Sequence, residues 1–258
     1  MTSRVLILGG TTQARMLGSS LLTNSLKVEV VYSLAGRTQR PNLIGLGGAH
    51  IRRGGFNGAS GLARFVHEHC VDFVVDATHP FAAQISAHAL AAATIADVPL
   101  LRLSRMPWCA HTGDQWTHCS DVRSAAEVVQ SQPTPSLQRV FLAIGTQEVA
   151  VFARGAQSIT YWVRVIEPPK PCLDADQFRV IRKRGPFSEA EEEATFRDLG
   201  IQLLVCKNSG GRAMYPKLAA ARTLSIPVLM IDRPCTPNAD TVYEVESALK
   251  ILRERLDL

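Results

Sequence analysis

The stretch that most restricts how this chain can fold is Arg4-Val5-Leu6-Ile7-Leu8-Gly9-Gly10-Thr11-Thr12-Gln13-Ala14. Four consecutive apolar residues, Val5 to Leu8, have the pattern of a strand buried on both faces, as in parallel sheets covered by helices. Gly9 and Gly10 then allow a turn that side chains would obstruct. Thr11 or Thr12 can cap a helix running through Ala14, Met16, Leu17, Leu21 and Leu22. A strand, turn and helix of this kind leave unpaired N–H groups and the positive end of a helix dipole at the strand's carboxyl end, where a phosphate fits. The glycines are adjacent rather than spaced as G-x-G-x-x-G. The stretch therefore suits a nucleotide-binding turn and equally the plain first βα turn of any α/β protein.

The chain continues in the same alternation. Residues 28–32 read as a second strand closing on Leu34-Ala35-Gly36-Arg37-Thr38, and residues 51–53 as a short strand ending in Gly54-Gly55-Phe56. A helix over 61–70 precedes the strand 72–76. Ala77-Thr78-His79-Pro80 then turns into a long helix reaching about Ala96, with Pro80 as its expected first residue, and residues 99–103 form another strand. Asp121 can cap a helix through Val129, after which Gln132-Pro133-Thr134-Pro135-Ser136 has the character of a linker.

Beyond it the first half is echoed. Val140-Phe141-Leu142-Ala143-Ile144-Gly145-Thr146-Gln147 parallels the opening stretch, and Ile181-Arg182-Lys183-Arg184-Gly185-Pro186-Phe187 parallels Ile51 to Phe56. Leu203-Leu204-Val205-Cys206 followed by Lys207-Asn208-Ser209-Gly210-Gly211 falls where Phe73 to Phe81 would, and residues 226–233 match 98–105. All four offsets are roughly 130 residues, the mark of a duplicated βα domain. The expectation is an α/β protein of two parallel-sheet domains, 1–133 and 134–258, each able to fold when expressed alone. Ligands of open α/β sheets bind beyond the strands' carboxyl ends, so one active-site cleft between the domains is expected.

Composition narrows the function classes. The net charge of +5 is spread without a lysine-rich run, which disfavours a nucleic-acid face and suits an anionic small molecule. No stretch approaches the ~18 uninterrupted apolar residues of a membrane span. Gly9-Gly10 interrupts any N-terminal apolar region, and the six cysteines include no C-x-x-C pair, so a soluble cytoplasmic protein with reduced thiols is expected. No metal site is expected: His67 and His69 lie two apart on a helix and point apart, and H-E-x-x-H is absent. A G-x-S-x-G elbow is also absent.

The candidate chemistry sits at strand ends. Lys207-Asn208-Ser209-Gly210-Gly211, with a helix expected near Arg212, forms either an anion cradle or a solvated turn with a helix cap. His79 is a candidate proton donor, ligand contact or turn residue, and Asp76 can orient it or cap the turn. Asp76 and Glu148 are rival proton donors. Arg37-Thr38 and Arg40 follow the second strand, where arginine suits the 2′-phosphate of NADP and a carboxylate suits a free hydroxyl.

Together, Leu8-Gly9-Gly10-Thr11-Thr12, Gly54-Gly55-Phe56, Asp76-Ala77-Thr78-His79-Pro80-Phe81-Ala82, Arg164-Val165-Ile166-Glu167-Pro168-Pro169, Arg184-Gly185-Pro186-Phe187 and Lys207-Asn208-Ser209-Gly210-Gly211 resemble the precorrin-6A reductase family of corrin-ring biosynthesis. The resemblance implies two Rossmann-like domains and NADPH-dependent reduction of the C18–C19 double bond of a polycarboxylate tetrapyrrole, giving precorrin-6B. It implies cofactor contacts from Gly9, Gly10, Thr11, Thr12, Gly36, Arg37, Thr38 and Thr78. Substrate contacts are expected from Pro80, Phe81, Gln84, Lys207, Asn208, Ser209, Gly210 and Gly211. It leaves open a metal-free or cobalt-bearing substrate, the oligomeric state and association with neighbouring corrin-pathway enzymes. A two-domain sugar-nucleotide transferase and a non-catalytic NADP(H) sensor are the competing classes.

Overall fold

A computed structural model of the chain describes residues 2–23, 27–36, 41–131, 137–154, 159–166 and 177–257. The expected linker at 132–136, Arg37, Thr38, Arg40 and the Glu167-Pro168-Pro169 motif lie outside the described residues.

In chain order, β1 (Ser3–Leu8), α1 (Thr12–Thr23), β2 (Val28–Leu34), β3 (His50–Arg53), α2 (Gly58–Glu68), β4 (Phe73–Asp76), α3 (Ala83–Ala96) and β5 (Leu100–Leu103) come first. Next are β6 (Trp116–Cys119), α4 (Val122–Ser131), β7 (Arg139–Ala143), β8 (Thr160–Val165), β9 (Phe178–Arg182), α5 (Glu189–Leu199), β10 (Leu203–Lys207), α6 (Pro216–Thr223) and β11 (Val228–Ile231). The chain closes with β12 (Thr241–Val242) and α7 (Val245–Leu256). Among the described residues no helix is long and apolar enough to cross a membrane.

The strands form two six-stranded parallel sheets, ordered β12-β5-β4-β1-β2-β3 and β6-β11-β10-β7-β8-β9. Both have the doubly wound order in which the first strand is central and the chain reverses direction beside it. β7, β9, β10 and β11 occupy the places of β1, β3, β4 and β5, as the sequence repeat predicts, and β8, which the repeat does not reach, takes the place of β2.

The sixth strands break that simple repeat. β6 with α4 precedes β7 in the chain yet completes the second sheet, and β12 with α7 returns from the C-terminus to complete the first. One compact unit is therefore residues 1–106 with 235–258, and the other is 107–234. This corrects the expected boundary at 133/134 and the expectation that 1–133 and 134–258 are complete halves. The proline-bearing segment is a connection within the second unit, between α4 and β7.

In the first unit the alternation of side chains explains the apolar run. Val5 and Ile7 pack with Leu17 and Leu21 of α1 and Ala248 and Leu252 of α7. Leu6 and Leu8 face the other way, onto Leu62 and Val66 of α2 and Ala89 and Ala92 of α3. In the second unit, Phe141, Leu204, Cys206 and Met230 pack with Phe196 of α5 and Leu218 of α6.

Candidate active site

In the first unit, the carboxyl ends of β1, β2 and β4 bring three turns to one sheet edge. At Gly9 an added Cβ would lie 2.4 Å from the Tyr32 ring, so only glycine lets β1 leave the sheet over that aromatic. Gly10 has φ +108°, a conformation costly for any side chain, and nothing lies within 4 Å of where its Cβ would stand. That open space in front of the turn is where a phosphate needs to approach. The Thr11 hydroxyl accepts from Ala14 N at 3.1 Å, capping α1, and donates to Ala77 O at 2.9 Å, tying the turn to the end of β4. Thr12 opens α1 and is exposed, and the helix has no acidic residue in its first turn. Gly36 ends the β2 side with φ +79°. The residues present fit a dinucleotide: an open glycine turn, a capped helix start and no competing carboxylate.

Asp76 is buried, and both of its oxygens are engaged. Oδ1 accepts from Thr78 N at 3.2 Å and Thr78 Oγ1 at 2.7 Å, while Oδ2 faces Arg102 Nε at 3.4 Å. Arg102 is itself anchored to Thr236 Oγ1 and Pro237 O, on the segment leading to β12. The carboxylate organises the turn and balances a buried guanidinium, which suits the turn-capping role and argues against a free acid. His79 beyond it is exposed, and Phe81 N donates to its Nδ1 at 3.2 Å. A neutral ring so held carries its proton on Nε2. The Phe81 ring lies 5.8 Å from that of His79. Pro80 is not the first helical residue: α3 begins at Ala83, placing Gln84 in its exposed first turn.

In the second unit the edge is built differently. Glu148, in the turn after β7, forms an ion pair with Lys207 at the end of β10, so two expected site residues meet. Asn208 is buried, and its amide is paired with the Trp108 backbone: Oδ1 accepts from Trp108 N at 2.8 Å and Nδ2 donates to Trp108 O at 3.0 Å. These two bonds hold the turn against the Trp108 segment. Trp108 Nε1 donates to Gly211 O at 3.0 Å, holding a segment in which Gly210 and Gly211 have φ +68° and +83°. No α-helix begins at Arg212; a single 3-10 turn (Arg212–Met214) intervenes before α6 at Pro216. The turn after β7 likewise leads into a 3-10 segment (Val149–Arg154), so neither of these two turns opens directly into an α-helix as the Gly10 turn does. Ser209 is nearly buried, and Lys207 brings a positive charge balanced by Glu148.

Tyr32, Arg102 and Trp108 were invisible to motif reading. Tyr32 lies opposite Ile7 in the register of β1 and β2, so its ring reaches under Gly9 only once that pairing is known. Trp108 carries no pattern that ties it to a turn 100 residues later.

A family model described as precorrin-6x reductase CbiJ/CobK matches residues 4–253. The chain is 45% identical over 249 residues to the precorrin-6A reductase of Rhodococcus erythropolis, covering 96% of each. It is 30% identical over 183 residues to the cobalt-precorrin-6A reductase of Priestia megaterium, covering 67% of this chain and 69% of that one. The solved structure titled CobK precorrin-6A reductase superposes with a TM-score of 0.87 at 37% identity, covering 98% and 97% of the two chains. The family model, the Rhodococcus relative and the solved fold agree over nearly the whole length: the chain belongs to the precorrin-6x reductase family.

Proposed function

We propose that this chain reduces precorrin-6A to precorrin-6B with NADPH, and that its first unit carries the nucleotide. The observation that carries the placement is the Gly10 turn, open in front, strained for any side chain and followed by a Thr11-capped helix. In the second unit the turns after β7 and β10 lead into 3-10 segments and not straight into an α-helix. Bound at the Gly10 turn, NADPH would supply the hydride.

The protein's part is positioning, charge and a proton. Gly10 leaves room for the pyrophosphate, and the first N–H groups of α1 hold it. Asp76 fixes Thr78, and the Thr78-to-Phe81 turn holds His79 through Nδ1, leaving Nε2–H as the proton donor. Pro80, Phe81 and Gln84 accompany it toward the substrate. NADPH is favoured over NADH because β2 ends in Ser33-Leu34-Ala35-Gly36, without a carboxylate for a ribose hydroxyl, and Arg37-Thr38 follow in sequence. The metal-free substrate is favoured by the greater identity to the precorrin-6A enzyme than to the cobalt-precorrin-6A enzyme. The protein acts as a cytoplasmic enzyme.

Purified protein given NADPH and precorrin-6A should consume both, followed by nicotinamide absorbance. NADPH that binds without being oxidised would instead mark a sensor, and binding of a sugar nucleotide without NADPH a transferase.

A further inference from the structure

Arg52 lies on β3 opposite Ser33 of β2, near the carboxyl edge of the first sheet. Its guanidinium is fixed on several sides. Nη1 donates to Gly54 O and Nη2 to Gly55 O, each at 2.6 Å, with Ser33 Oγ at 3.5 Å. Its carbon stands 3.6 Å over the Phe56 ring centroid and 5.2 Å from that of Phe65. The Gly54 carbonyl and the Ser33 hydroxyl engage Nη1 and the Gly55 carbonyl one N–H of Nη2, which leaves Nε–H and the second Nη2 hydrogen. No carboxylate pairs with this cation among the described residues.

Its surroundings place that charge at the end of β2. Gly54 N donates to Leu34 O at 2.9 Å, and Gly36 comes so close that its Cβ would stand 3.9 Å from Gly54 N. In doubly wound sheets the end of the second strand reads the 2′ position of the adenosine ribose. A guanidinium already oriented and stacked loses little rotamer freedom when it meets a phosphate.

We propose that Arg52 is a specificity-determining residue of the nucleotide site, a pre-oriented cation that favours the 2′-phosphate of NADPH over the 2′-hydroxyl of NADH. The inference rests on the placement of the cofactor in the first unit. It assigns the selection to a residue inside the sheet.

Calorimetry with adenosine 2′,5′-bisphosphate and AMP tests it, because the two differ only in the 2′-phosphate. Arg52→Met should weaken the bisphosphate roughly ten- to a hundredfold and leave AMP within about twofold. Arg52→Lys, which keeps the charge and loses the fork, should retain part of the preference and serves if the Met variant melts early. Equal weakening of both ligands would make Arg52 a turn-holding residue only, and no change in either would remove it from the site; both outcomes overturn the inference. Thr12→Glu, which puts a carboxylate at the start of α1, separates this from the placement itself. It should weaken both ligands in either case. If it weakens neither, or if wild-type protein binds neither ligand, the placement fails and the inference falls with it.

Discussion

At the scale of single residues, side chains that motif reading treats alike play different parts. Asp76 and His79 are three positions apart in one motif, yet the first is buried with both oxygens engaged and the second is exposed with Nδ1 accepting from Phe81 N. His79→Ala should lower kcat by roughly 10²–10⁴ if Nε2 delivers the proton. Removing an exposed ring should leave the thermal midpoint within a few degrees; a large drop with normal specific activity would make His79 structural. Arg37→Ala should weaken NADPH far more than NADH, by ~1.5–3 kcal/mol for a well-formed phosphate contact. Equal losses for the two cofactors would sink that assignment. Arg164 and Glu192 are a bidentate pair buried in the second unit, with contacts of 2.7 and 2.6 Å. Glu192→Ala strands a desolvated guanidinium and should cost ~3–5 kcal/mol in denaturant unfolding.

At the scale of elements, local capping and tertiary packing share the work unequally. α5 carries its own start signal: Ser188 Oγ accepts from Glu191 N, and Glu191 reaches back to Ser188 N at 2.7 Å. Those bonds from Ser188 hold the Glu191 carboxyl below its usual range. A carboxyl with a depressed folded pKa stabilises above its unfolded pKa, and the contribution disappears as pH falls through the folded value. Ser188→Ala should therefore cost ~1 kcal/mol at neutral pH, and the difference from wild type should shrink under acid. A gap that widened as pH fell would overturn this account. α3, by contrast, starts at Ala83 without a side-chain cap, and its sequence is apolar all round. Its start is set by packing on α2 and β4, which explains why Pro80 is a misleading helix signal.

At the scale of the whole molecule, the exchange of sixth strands makes each unit depend on sequence from the other half. Val245, Ala248 and Leu252 of α7 belong to the same buried cluster as Val5, Ile7 and Leu17. Residues 1–133 expressed alone should lack that face and the edge strand β12, and should show broad, uncooperative unfolding with exposed apolar surface. Residues 1–106 joined through a short flexible linker to 235–258 should unfold cooperatively. A well-folded 1–133 fragment would show that α7 is dispensable to this core.

What sequence alone determined was local and periodic. The buried run of β1, a threonine cap at Thr11 or Thr12, the glycine turns and the duplicated order of strands all arise from neighbours within a few residues or from a repeat that can be aligned with itself. The family could be read from the same short motifs, because those motifs are turns whose residue types are dictated by backbone geometry. Tertiary structure alone decided which sheet receives β6 and β12, since a short strand bears no mark of its partner and joins whichever edge the fold presents. It also decided that Asn208 serves Trp108, that Asp76 balances Arg102, and that Arg52 stands fixed at the end of β2. Those pairings join residues distant in sequence, and hydrogen bonding and stacking depend on positions in space that no spacing along the chain encodes.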